Sequence, residues 1–199
     1  RGKNVLIDTG GNKSFDMAKE VLIPFFKKKR VYKLDYLITT HDDFDHRGAA
    51  PSLLENFRVE HIVANAHAFP LALGTTIFRN LNDTLSADEN DNSLVLTFTL
   101  LDKEWLLMGD ASKTVEERII SRNPNLNIDY LKIGHHGSNT STGESFLRHT
   151  TPEEAIISVG SDNYYGHPHQ EVIALLHRYD ITIRRTDLEG TISYSSALF

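Results

Sequence analysis

Thr40-His41-Asp42-Asp43-Phe44-Asp45-His46-Arg47-Gly48 follows directly on the apolar run Tyr36-Leu37-Ile38 and sets two imidazoles and three carboxylates within six positions. A strand end gathers that many polar groups where a cation holds them, and neutral imidazole with carboxylate is an ordinary ligand set for zinc and for harder divalent ions. His41, Asp43 and Asp45 stand two apart and His46 one further. A sharp turn would let His41 and Asp43 face one cation while Asp45 and His46 face another. The competing reading is an acidic loop with two solvated histidines.

Composition narrows what could complete such a site. The 199 residues are 40% hydrophobic and 24% charged, as expected of one globular domain over residues 1–199. With no cysteine, there are no disulfide partners and no thiolate ligands, so any metal rests on His, Asp and Glu. A formal charge of -6 disfavours loose attraction to nucleic acid, although cations bound among the carboxylates would offset it locally. No apolar run approaches the roughly 20 residues that span a bilayer and no signal-peptide pattern precedes the first strand, so the chain reads as a soluble piece. Its abrupt opening, Arg1-Gly2-Lys3, suggests a fragment of something longer.

Outward from the central stretch, strands and helices alternate. Val5-Leu6-Ile7 runs into Asp8-Thr9-Gly10-Gly11, a strand ending in a glycine turn that could orient a site or be a turn alone. A helix is expected from Ser14 to about Lys29, with Pro24 bending or ending it, and Lys27-Lys28-Lys29-Arg30 as its solvated basic end. Gly48 to Glu55 reads as a helix and Val59 to Val63 as a strand. Ser93 to Phe98 and Glu104 to Met108 read as strands joined by a tight turn near Asp102-Lys103. The second leads to Gly109-Asp110, where the aspartate is either a turn cap or a carboxylate suited to bridging two metals. Thr114 to Ser121 is expected to be helical with Glu116 and Glu117 outward.

The strand Ile128 to Ile133 delivers Gly134-His135-His136-Gly137-Ser138, and glycine permits the tight backbone by which two histidines approach a metal. Ala155 to Val159 leads through Asn163-Tyr164-Tyr165-Gly166-His167-Pro168 into a helix ending near Arg178, with His167 at its N-terminal end as a cap or an anion contact. His61, His67, His149, His169 and His177 read as peripheral. Ile181 to Ile183 and Thr191 to Tyr194 are expected to close the chain as paired strands.

These elements together resemble the metallo-β-lactamase superfamily, whose His-x-His-x-Asp-His motif matches His41 to His46 except that Asp43 replaces the second histidine. Their order resembles the metallo-β-lactamase-like domain of ComEC-type DNA-uptake proteins, without the strand with which such domains usually open. The resemblance implies an α/β fold, a four-layer αββα sandwich. It also implies that Asp45, His46, Asp110 and His135 or His136 hold one metal, with a lean toward His135. His41, Asp43 and Asp110 would hold a second; Asn92-Ser93 stands where the superfamily often has a further histidine.

Asp45 and His167 are then the candidate catalytic residues, and Ser138, Asn163 and His167 the candidate substrate contacts. One or two divalent ions, zinc or manganese, would serve a phosphodiesterase acting on single-stranded DNA during uptake. The rest of a membrane channel would be the partner, at the extracytoplasmic face of a bacterial membrane. A hydrolase of another ester, lactonase-like or phosphocholine esterase-like, and a non-catalytic metal-binding domain are the alternatives.

Overall fold

The structure is a computed structural model that describes residues 2–196; Arg1 and residues 197–199 lie outside it. The chain divides into two compact units, Arg1–Thr75 and Thr76–Phe199.

The first unit is built on three parallel strands in the order β1 (Val5–Ile7), β2 (Leu34–Ile38), β3 (Val59–Val63). Parallel neighbours need a crossover. Between β1 and β2 it is a π-helical turn, Ala18–Leu22, running into α1 (Ile23–Lys28). Pro24 therefore does not end the helix, which continues to Lys28. It occupies the first turn of α1, where a missing N–H is tolerated, and the wider turn comes just before it. Between β2 and β3 the crossover comprises two short helices, α2 (Phe44–Arg47) and α3 (Ala50–Asn56), rather than one. Ala18, Ile23, Phe26, Ala50 and Leu53 pack with Leu34 and Leu37 of β2 into the core of this unit, and a short strand β4 (Leu71–Leu73) lies near its end.

In the second unit the sheet order is β10 (Thr182–Arg185), β9 (Glu154–Ile157), β8 (Tyr130–Lys132), β7 (Lys103–Leu107), β6 (Leu96–Leu100), β5 (Thr76–Asn80). The strands β5 to β7 are antiparallel and β7 to β10 parallel. The turn joining β6 to β7 is centred on Leu101 and Asp102, both at positive φ (58° and 57°), the conformation that matches strand twist in a two-residue hairpin. The crossovers are α4 (Lys113–Arg122), α5 (Glu144–Thr150) and α6 (Gln170–Arg178).

Register places Leu106, Leu131 and Ala155 side by side, and this row packs against Val115, Ile119, Phe146, Leu147, Val172 and Leu176 of the helices. On the alternate face Trp105 and Tyr130 are neighbours, covered by the Tyr194 ring at 4.9 and 5.1 Å.

Two expectations fail in this unit. Glu116 is not outward: it is 1% exposed and accepts the N–H groups of Thr142 (2.6 Å) and Gly143 (2.7 Å). The apolar spacing of α4 locates its inner face, but those two unsatisfied donors, at the entry to α5, pull in a carboxylate that periodicity assigns to solvent. Thr191 to Tyr194 is not a strand paired with β10. After β10 the chain forms the helical turn α7 (Thr186–Glu189), and Glu189 takes the Arg185 N–H at 2.9 Å. The partner of β10 is β9, and Tyr194 lies in an irregular segment anchored by its ring and by a bond from its hydroxyl to Glu154.

Candidate metal centre

In each unit the metal-ligating residue types lie beyond the carboxyl ends of parallel strands, where open α/β sheets place their ligands. In the first unit β1 ends in Asp8, held at φ +59°, a conformation Asp adopts more readily than most residues. Its carboxylate accepts Thr40 N–H (2.7 Å), Thr40 Oγ1 (2.8 Å) and His46 Nδ1 (2.7 Å). A carboxylate only accepts, so His46 carries its proton on Nδ1 and keeps the Nε2 lone pair. Thr40 gives its one hydroxyl proton to Asp8, so the 3.1 Å contact with His41 Nδ1 is donated by the imidazole. His41 therefore also keeps Nε2 as an acceptor.

The Nε2 atom of His41 is 3.7 Å from Asp43 Oδ2, and the His41 and His46 rings are 4.1 Å apart. The turn that carries them is fixed from β1: Thr9 donates its N–H to the His46 carbonyl at 2.7 Å. Gly11 sits so close to Phe44 that a Cβ there would be 2.0 Å from its carbonyl oxygen.

In the second unit β7 ends in Gly109-Asp110. Asp110 is 2% exposed, and its N–H is taken by Ser93 Oγ at 3.0 Å. The segment Asn92-Ser93 thus supplies a hydroxyl that positions Asp110. After β8, His135 and His136 lie consecutively in the left-handed region (φ 47° and 53°), which turns both rings back toward Asp110. Their Nε2 atoms are 3.9 and 3.7 Å from Asp110 Oδ2. His136 Nδ1 lies 2.7 Å from the Ser158 carbonyl, which can only accept, so Nε2 of His136 is a lone pair. His135 Nδ1 meets the hydroxyl of Thr140 at 3.2 Å; that hydroxyl gives its one proton to Ser138, so the imidazole donates here too, through a longer contact than that of His136.

The His167 ring is 5.6 Å from His135 and 4.9 Å from His169. Burial pushes its pKa below the ordinary histidine value, and His135, His169 and His136 push the same way against Asp110. Ser138 is buried and accepts from the Thr140 hydroxyl at 3.0 Å. Asn163 spends its amide on its own loop, donating to the His167 carbonyl (2.7 Å) and accepting the His167 N–H (2.8 Å). His169, read from sequence as peripheral, accepts the Asn139 N–H at 2.9 Å and ties the two loops together. Its place beside His167 was the available signal. For Asp8 the signal was a carboxylate at a strand end in a chain with a histidine cluster.

The donor set fits a divalent metal. Imidazoles whose Nδ1–H is held by a carboxylate or carbonyl, as in His46 and His136, are the usual form of a metal-ligating histidine, and the remaining donors are carboxylates.

Residues 1–83 match the profile of the metallo-beta-lactamase superfamily. ComE operon protein 3 of Bacillus subtilis is 37% identical over 234 aligned positions, covering 98% of this chain and 30% of that protein. Recombination protein 2 of Haemophilus influenzae is 32% identical, covering 96% and 26%, and competence protein ComA of Neisseria gonorrhoeae 29% identical, covering 96% and 29%. The chain thus spans less than a third of the length of these curated relatives. A mutant of CmlA beta-hydroxylase has a similar fold, with a TM-score of 0.52 at 12% identity over 77% of this chain and 43% of its own. The His41-to-His46 motif, the α/β architecture and these relatives agree: residues 1–83 belong to the metallo-β-lactamase superfamily, and nearly the whole chain resembles its ComEC-type competence proteins.

Proposed function

We propose that the chain is a divalent-metal-dependent phosphodiesterase that cleaves DNA, one domain of a longer competence protein that degrades the strand not taken up. The observation that carries this reading is the pair of histidines, His46 and His136, each held through Nδ1 by an oxygen that can only accept. Asp45, His46, Asp110 and His136 are the group that would hold the ion. His136 replaces His135 in the assignment because its Nδ1 is held at 2.7 Å by a main-chain carbonyl, whereas that of His135 meets a rotatable hydroxyl at 3.2 Å.

His41 and Asp43, with Asp110, would hold a second ion. Two imidazoles and two carboxylates suit manganese as well as zinc, and Asp43 hardens the second set. A divalent ion bound there supplies charge neutralisation at the phosphoryl oxygens and acidifies a water.

The chain's own residues supply position. Asp8 and the Ser158 carbonyl hold the ligand rings in one tautomer, and Ser93 orients Asp110. His167, beside His135 on a loop braced by Asn163, donates a ring N–H to a phosphoryl oxygen or to the leaving oxygen. The relatives named as competence and recombination proteins favour DNA over other esters. In a longer chain tethered near its substrate, such a domain works at high effective concentration despite a charge of -6.

The test is metal content by mass spectrometry together with cleavage of labelled single- and double-stranded DNA in manganese or zinc, for the wild type and Asp110→Ala. Loss of bound metal and of cleavage in the variant is expected. Full metal content with undiminished cleavage would overturn the ligand set, and a wild type that cleaves neither DNA with either metal would overturn the activity.

A further inference from the structure

The loop between β9 and α6 exposes two aromatic rings that nothing in the proposed reaction uses. Tyr164 is 97% exposed and Tyr165 73%, although the backbone beneath them is pinned. Asn163 Nδ2 donates to the carbonyls of His167 (2.7 Å) and Gly160 (3.2 Å), its Oδ1 accepts the His167 N–H (2.8 Å), and Gly166 closes the turn at φ +72°. The exposure is thus built into a braced turn.

The rings also form a series leading away from the metal-binding loop. His135 to His167 is 5.6 Å, His167 to Tyr165 is 5.7 Å with the planes 24° apart, and Tyr165 to Tyr164 is 5.9 Å at 84°. Tyr165 stacks on His167 while staying largely exposed, and Tyr164 meets it edge to face.

Resting on the reading above, we propose that Tyr164 and Tyr165 are a stacking platform for unpaired nucleobases of a single strand, on the side of His167 away from His135. Residues 160–169 carry Asp162 and no lysine or arginine, so phosphate attraction contributes little on this loop. Stacking on aromatic faces binds single strands without a sequence preference and without many basic groups. A paired duplex keeps its base faces stacked inside and offers this platform nothing, so the loop selects single strands.

The experiment compares a natural single-stranded oligonucleotide with an abasic strand of the same length and backbone, using the full chain loaded with manganese. In the wild type the natural strand is expected to have the higher kcat/KM. In Tyr164→Ala/Tyr165→Ala that preference falls about tenfold or more through KM, and Tyr164→Phe/Tyr165→Trp restores it, since stacking is worth about 1–3 kcal/mol per base. In parallel, quenching of a 2-aminopurine base in the oligonucleotide reports binding without cleavage, and the alanine variant is expected to lose it.

Equal kcat/KM for natural and abasic strands in the wild type, or quenching that survives the double alanine substitution, overturns the platform. A wild type that quenches 2-aminopurine through these tyrosines but cleaves nothing overturns the nuclease reading and leaves the platform standing.

Discussion

Asp8→Asn should separate metal binding from folding more sharply than any change to a ligand. Asparagine tolerates the left-handed conformation that Asp8 holds at φ +59°. Its carbonyl oxygen can still take the Thr40 N–H, which Asp8 accepts at 2.7 Å. Its amide, however, donates where the carboxylate accepted. Placed at 2.8 Å from Thr40 Oγ1 and 2.7 Å from His46 Nδ1, it requires both atoms to become acceptors. The proton of His46 then moves to Nε2, and the freed Thr40 hydroxyl donates to His41 Nδ1 across its 3.1 Å contact, moving that proton to Nε2 as well.

One substitution thus reverses the three side-chain bonds that link Asp8, Thr40, His46 and His41, leaves the Thr40 N–H bond in place and withdraws both lone pairs from the metal side. Loss of such a partner typically weakens metal affinity by about 10- to 100-fold, or about 1.4 to 2.7 kcal/mol. Stability of the metal-free protein should change by only about 1 kcal/mol, the scale of one net hydrogen bond. Chelator competition measures the affinity, urea denaturation the stability, and nitrogen shifts of the imidazoles the tautomers. An affinity within twofold of wild type, or a variant whose His46 keeps its proton on Nδ1, refutes the reasoning.

Three further outcomes are expected. Burial pushes the Glu116 carboxyl up from 4.5 to about 7, outweighing the two N–H groups of Gly143 and Thr142 that favour its charged form. Between these values the folded chain keeps a proton that the unfolded chain has released, so this group's contribution falls by about 3 kcal/mol as pH rises from 4.5 to 7 and is flat above. Glu116→Gln should remove that slope, and urea titrations at pH 5 and 8 that show equal slopes in both proteins would contradict it. Gly11→Ala drives a Cβ against the Phe44 carbonyl and should displace the turn carrying Asp45 and His46, lowering both metal affinity and the urea midpoint; an unchanged midpoint would show that the turn yields freely. Phe146→Ala opens the centre of the second unit, where the ring is fully buried, and should cost about 3–5 kcal/mol in urea denaturation.

What the sequence disclosed about the site follows from how locally each part is determined. His41 to His46, Gly109-Asp110 and His135-His136 are short motifs at strand ends, and residue type with spacing was enough to mark them. That Asp8 could orient a site was legible, with a bare turn as the alternative, but its partners were not, since Thr40 and His46 are 32 and 38 positions away. Glu116 escaped for the same reason, since its donors lie on another loop 26 and 27 positions on. The closing segment was misread because Thr191 to Tyr194 has strand composition, while β9 already pairs with β8 and β10 and Tyr194 is placed by its contacts with Trp105 and Tyr130. Periodicity reports a preference for one face and is silent on which neighbour occupies it.

His135 and His136 hold two consecutive left-handed residues, each of a conformation that costs a side chain of about 1–3 kcal/mol and a glycine almost nothing. A library screened only for heat resistance would therefore drift toward glycine at these two positions, and its most robust survivors would be those that had lost an imidazole. Selection for a tougher fold and selection for this chemistry pull in opposite directions at the same two residues, so any programme of stabilisation here has to be scored on bound metal as well as on melting.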